Sequence, residues 1–287
     1  MSQPYHSKYI DPFSDTGFKV IFGREGYSED VLRQFLNEVF RGQPMFESIK
    51  EVKFVNNERS RDRAGGKTII HDVMCTTEQG HRFIVEMQSS YQRQFLVRAI
   101  YYVSRGVTDQ SIQLSGGREW TYDFMPVVGT FITKFNVPGL PRKVLTHIGL
   151  ADVDSGELIE NHIRFAFIQT SFFDKTQDEC VSEFDKIIYI MKNMQSLNDI
   201  PFKTNETDIY SQMDELAQYA NLSPEDRRIY DYELKQSRDR ACELESAYYS
   251  GRQQQTLQIA ANMKTMGMSF DSIAKATGLT EEEIEKL

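Results

Sequence analysis

Residues 71–88, HDVMCTTEQGHRFIVEMQ, leave this chain few ways to fold. Two short apolar runs flank Glu78-Gln79-Gly80, which reads as a hairpin loop closed by a left-handed glycine. With that loop Thr77 faces His81, Cys75 faces Phe83, Val73 faces Val85 and His71 faces Met87, and these pairs form a mainly apolar side. On the other side Met74 faces Ile84, Asp72 faces Glu86 and Ile70 faces Gln88, because side chains alternate with a period of two. The register that best separates apolar from polar residues thus sets two carboxylates opposite each other. Their Cβ atoms would lie about 4.5–5.5 Å apart, where like charges repel. A shared proton, a basic side chain or a divalent cation would offset that repulsion. The alternative is a solvated polar face on an edge hairpin, and a one-residue change in loop geometry would send the acids to opposite faces.

Around this hairpin the apolar spacing predicts a helix over 13–22 and another over 29–40, the latter with Ser28 as N-cap. A strand is expected over 49–58, a helix from 91 to 105, and strands over 126–135, 144–153 and 163–170. That order describes an α/β core with a mixed sheet and flanking helices. After about residue 175 the pattern is helical throughout, which sets the expected domains at 1–175 and 176–287. Residues 223–266 form one long helix or two. The last stretch, 269–287, reads as two short helices around Gly278, with Thr280 and Glu283 as a capping box.

Composition limits the function classes. No run approaches the roughly 18 apolar residues of a membrane helix, and the N-terminus has no apolar core of a secretory signal. Three scattered cysteines, Cys75, Cys180 and Cys242, make neither a disulfide framework nor a zinc pattern, which fits a reducing cytoplasm. The net charge is −9, and its distribution is uneven: residues 1–135 carry 17 Lys and Arg against 16 Asp and Glu, residues 136–287 carry 16 against 26. Any nucleic acid is therefore expected on the first half.

Asp72, a short hairpin and then Glu86-Met87-Gln88 closing an apolar strand resemble the core of PD-(D/E)XK nucleases. The Glu-x-Gln form is similar to that of the Rpn group of recombination-promoting nucleases, also labelled PD-(D/E)XK family transposases. DPFSDTGFKVIFG (11–23), FLNEVF (35–40), FIVEMQ (83–88) and RAIYYVSR (98–105) carry the same resemblance, which covers about residues 10–170; the tail is also similar. It implies a restriction-endonuclease-like α/β fold and metal-dependent hydrolysis of DNA phosphodiesters, with a link to recombination or mobile DNA. Mg²⁺, or Mn²⁺ in its place, would bind Asp72 and Glu86, polarise the phosphate and activate a water. In that superfamily a lysine stands two positions after the second acid. Here Gln88 stands there, and an amide orients water or phosphate by hydrogen bonds without serving as a base.

The resemblance also implies an active-site acid near Asp15, whose other role would be capping the first helix. Glu38, beside Arg33, Asn37 and Arg41, is expected on a solvated face. Gln94, Arg98, Tyr101 and Arg105 share a helical stripe after the acid-bearing strand, so Arg98, Tyr101 and Arg105 are candidates for DNA contact, or else surface charges beside core residues. Arg61, Arg63 and Lys67, with Arg59, make a basic Gly-containing loop open to phosphate contact or to a plain surface role. The five histidines show no metal-ligand spacing. The C-terminal pair of helices has helix-turn-helix spacing, but the second begins with three glutamates, which favours packing or a partner surface over base reading. DNA and a second copy of the chain through its helical regions are the expected partners. A second functional class is a catalytically silent nuclease fold that binds or regulates through its acidic helical tail.

Overall fold

The computed structural model describes residues 7–44, 46–55, 72–114 and 122–287. The chain divides into two compact units, residues 1–230 and 231–287.

The first unit is built on α1 (Asp15–Phe22), α2 (Glu29–Val39), β1 (Val52–Phe54), β2 (Val73–Thr77), β3 (Arg82–Gln88), α3 (Phe95–Leu114), β4 (Val127–Thr133), β5 (Leu145–Ala151), β6 (Leu158–Gln169), α4 (Glu183–Asn193) and α5 (Ile209–Ala217). Among the described residues the sheet has six strands in the order β1-β2-β3-β4-β6-β5. β1, β2 and β3 are antiparallel neighbours, β3, β4 and β6 run parallel, and β5 closes the far edge antiparallel to β6. This is the expected mixed α/β architecture. The parallel β3–β4 pair needs a crossover, and α3 provides it.

β2 and β3 pair in the expected register: Val73↔Val85, Met74↔Ile84, Cys75↔Phe83 and Thr76↔Arg82. Gly80 holds φ +83°, the left-handed conformation that only glycine adopts at little cost. Thr77 N–H donates to His81 O at 3.0 Å and Gly80 N–H to Thr77 O at 2.9 Å. The alternative of a solvated edge hairpin does not hold. β3 lies between β2 and β4, and Phe83 through Met87 are all buried.

Two faces cover the sheet. Met74, Ile84, Val127, Phe131 and Phe167 pack under Phe95, Ala99 and Val103 of α3, with the Phe131 and Phe167 rings stacked at 5.2 Å. α3 comes close because two glycines meet there. A Cβ at Gly129 would lie 2.6 Å from Val103 Cγ2, and one at Gly106 would lie 2.9 Å from Val127 Cγ1. On the other face Phe40, just after α2, meets Phe83 with ring centroids 5.6 Å apart. α5 packs on α1 and α2, and α4 packs on α2. The N-terminal segment is tied to the end of α5: Ile10 N–H donates to Ala217 O at 2.9 Å and Tyr219 N–H to Lys8 O at 3.0 Å. These contacts place 176–230 in the same unit as the sheet.

Local details depart from the expected caps. Ser28 takes the N-cap position of α2 as expected, but its side chain makes no capping hydrogen bond: it is buried and its hydroxyl donates to Val20 O at 2.9 Å. Ser14, rather than Asp15, caps α1 by accepting from Gly17 N–H at 2.9 Å. Glu38 is not on a solvated face: its side chain is 11% exposed and pairs with Arg41.

The second unit contains most of α6 (Pro224–Thr265), then α7 (Phe270–Thr277) and α8 (Glu281–Glu285). Residues 223–266 thus form one helix. Ala260, Ile273 and Ile284 make a small core with Met263, Ala274 and Leu279 around it. Gly278 ends α7 at φ +76°, and the Thr280–Glu283 box caps α8 as expected. Lys264 Nζ donates to Ile284 O and Glu285 O at 3.0 and 2.9 Å. No helix among the described residues is long and apolar enough to cross a membrane.

The close approach of α3 to β4 sets a test. Gly129→Ala should destabilise the fold by roughly 1–3 kcal/mol, as overpacked cores do. Urea denaturation reads this as a lower midpoint at unchanged slope; an unchanged midpoint would contradict the described contact.

Candidate functional site

The hairpin register brings Asp72 and Glu86 together. Beyond the last ladder pair, Val73↔Val85, the chain bends at Asp72, and continued pairing sets this residue opposite Glu86. The Asp72 carboxylate turns onto β3, where Oδ2 accepts the Met87 N–H at 2.8 Å. Glu86 is 3% exposed. Gln88 is half-buried at the end of β3, on the same strand face as Glu86 by the period of two.

The electrostatics follow from this placement. Burial, then the Glu86 charge opposite, push the Asp72 carboxyl up to about 7; the Met87 N–H works against the rise. Asp15 adds a smaller upward push, and the Lys19 charge pulls the other way. Charges on α1 therefore lie within electrostatic range of Asp72. Asp15 is largely exposed and pairs with Lys19, with Nζ 3.0 Å from Oδ2. Asp11 lies just before α1, its Oδ2 3.9 Å from Lys134 Nζ. Lys134 follows β4, and its N–H donates to Gln88 O at 3.1 Å.

Two of the α3 candidates, Arg98 and Arg105, have partners on α3 or just before it. Arg98 hydrogen-bonds Gln92 and reaches Tyr102 Oη at 3.2 Å, and its guanidinium lies 5.5 Å from the Tyr102 ring centroid. Arg105 Nε sits 2.9 Å from Asp109 Oδ1. Tyr101 is exposed. Arg61, Arg63 and Lys67, like His71, lie outside the described residues. Sequence reasoning passed over Lys19 and Lys134. The signals were there: Lys19 stands four residues after Asp15 on one helical face, and Lys134 directly follows a buried strand.

Among the described residues no group of three or more His, Cys, Asp or Glu side chains forms a metal-ligand cluster. The donor set is two carboxylates with an amide beside them. Two oxygen donors suit a hard cation, which fills its remaining positions with water and substrate oxygen. They do not suit a closed Cys/His zinc site.

A family model described as PD-(D/E)XK nuclease family transposase matches residues 12–247. A second, described as Rpn/YhgA-like nuclease family, C-terminal HTH domain, matches residues 253–287. The second match gives the name of a helix-turn-helix domain to the segment whose acidic start argued for packing or a partner surface; Glu281, Glu282 and Glu283 are exposed in the first turn of α8. No curated protein and no solved structure matches the chain.

The raised Asp72 value sets a pH test on metal-free protein. An acid whose folded value lies above its ordinary 3.8 costs stability once it must ionise. The cost is absent below about pH 4, grows up to about pH 7 and is constant above. Asp72→Asn should therefore gain on wild type across that window, by roughly 2–4 kcal/mol at its top. Melting curves of both proteins from pH 4 to 8 measure the gap; a gap that stays constant with pH would contradict the buried pair.

Proposed function

The chain belongs to the PD-(D/E)XK nuclease family transposases, and on that premise we propose that it is a divalent-metal-dependent DNA endonuclease centred on Asp72 and Glu86. The observation that carries this reading is the approach of those carboxylates at the end of the β2–β3 ladder: Glu86 is buried on β3, and the half-buried Asp72, just before β2, accepts the Met87 N–H, with Gln88 on the same strand face as Glu86. A pair that repels as strongly as this one is suited to a cation. Mg²⁺, or Mn²⁺ in its place, would be held by Asp72 and Glu86, with water and phosphate oxygen completing its shell. When bound it supplies Lewis acidity and lowers the pKa of a bound water.

The remaining roles fall to the chain. Glu86 is fixed on a strand flanked on both sides, and Asp72 is held by the Met87 N–H, so both ligands are oriented before substrate arrives. Gln88 can donate to a phosphate oxygen or accept from the attacking water, but a neutral amide takes no proton. In net terms one water is added: its oxygen bonds phosphorus, the ester P–O bond breaks, and the leaving oxygen gains a hydrogen. Asp15 is proposed as an additional acid at the rim. Arg98, Tyr101 and Arg105 on α3, and Arg61, Arg63 and Lys67, are proposed to contact DNA. A role in recombination or mobile DNA is proposed with it, supported by the transposase name of the matching family.

Gln88 also favours a second reading, a nuclease fold that binds DNA or protein without cutting, through its acidic helical tail. A supercoiled-plasmid assay separates the two. With Mg²⁺ or Mn²⁺ the wild type should nick or linearise the plasmid, and Asp72→Ala and Glu86→Ala should each slow cutting by at least ~10²-fold. Absence of cutting by the wild type, with a stable DNA or protein complex retained, would support the silent reading instead.

A further inference from the structure

β5 lies at an edge of the sheet, and among the described residues β6 is its one strand neighbour. Gln169 N–H donates to Val144 O at 2.7 Å, and Thr146 and Ile148 pair with Phe167 and Phe165 in the same register. In an antiparallel ladder a residue turns its N–H and its C=O to the same side, and successive residues alternate. Val144, Thr146 and Ile148 therefore direct their backbone groups to β6, and Leu145, His147 and Gly149 direct theirs away from it. The register shift after Gly149 skips residues on β6, from Arg164 to Glu160, so the irregularity is on that strand and not on β5.

Sheet edges are commonly guarded by charged residues or proline. The seven residues of β5, LTHIGLA, include no Asp, Glu, Lys, Arg or Pro. Ile148 is 36% and Leu150 49% exposed, and both share a face with Thr146. The charges lie just outside the strand and are sorted by sign. Exposed Arg142 and Lys143 precede it, and exposed Asp152 and Asp154 follow it. A strand with a positive start and a negative end complements a copy of itself that runs the other way. Antiparallel pairing lays each basic end on the partner's acidic end and joins the apolar middles. Parallel pairing would set like charges against each other, which is destabilising.

We propose that β5 pairs with β5 of a second copy of this chain, antiparallel about a two-fold axis near Ile148, so that one sheet runs through both copies. The outward N–H and C=O groups of Leu145, His147 and Gly149 bond those of the partner, and the interface is isologous. The proposal does not depend on the nuclease reading of Asp72 and Glu86.

Sedimentation velocity of the full chain over a range of concentrations tests it. Wild type should sediment as a dimer that dissociates on dilution. Ile148→Lys, which sets two like charges beside the axis, and Arg142→Asp should each raise the dimer Kd at least ~10-fold. Arg142→Asp combined with Asp154→Lys restores opposite signs at both ends and should return the Kd to within about threefold of wild type. The charge variants lie on exposed residues outside the strand, so they read the interface even where Ile148→Lys unfolds the chain. A wild type that is monomeric at every concentration overturns the proposal. So does a dimer indifferent to Ile148→Lys and Arg142→Asp, or a double reversal no tighter than Arg142→Asp alone.

Discussion

Everything at the site depends on one pairing of two strands. The turn at Gly80 closes β2 onto β3 in a register that leaves no freedom about which residue faces which. Because side chains alternate, that register sends Asp72 and Glu86 to one position on one face. A sheet interior is a costly place for the buried Glu86 carboxylate, and a second carboxylate at its border, the half-buried Asp72, adds to the cost. The fold keeps them there by backbone constraint: Glu86 lies inside a strand with neighbours on both sides, and Asp72 accepts the Met87 N–H. The cost appears in the raised proton affinity of Asp72. Such an arrangement is explained when something positive completes it.

The hairpin was legible in the sequence because its information is local. A glycine at the end of the loop and a period of two determine the register over a dozen residues, and no distant contact is needed. The helices α1, α2 and α4 were legible for the same reason, from their apolar spacing. What the sequence did not reveal is long-range. The pairing of β3 with β4 spans all of α3, and that pairing makes β3 a central strand and buries Glu86, which decides against the alternative of a solvated edge hairpin. Ser28 has the composition of a cap, but Val20 O lies within reach of its hydroxyl and takes it. Asp15 looked equally able to cap, yet Ser14, one residue earlier, does so and frees Asp15 for Lys19.

The same distinction governs the basic residues. On sequence alone Arg98 and Arg105 form a stripe, and any stripe of arginine suggests phosphate. In the fold each has a partner within a turn or two of its own helix, Gln92 and Tyr102 for one and Asp109 for the other. Contact with DNA would then require exchange of those partners. Lys19 and Lys134, unremarkable in the sequence, pair with Asp15 and Asp11 at the N-terminal side of α1, and the Lys134 N–H donates to Gln88 O. The acidic second unit, by contrast, builds its own small core around Ala260, Ile273 and Ile284 and has a separate match to a helix-turn-helix domain.

The central claim is that the Asp72–Glu86 pair is a cation site. Anomalous diffraction from crystals soaked in Mn²⁺ tests it most directly. The account predicts a single strong peak within coordinating distance of both carboxylates, absent from crystals of Glu86→Ala. Well-ordered Asp72 and Glu86 side chains with no peak between them, at a Mn²⁺ concentration that supports binding in solution, would contradict it.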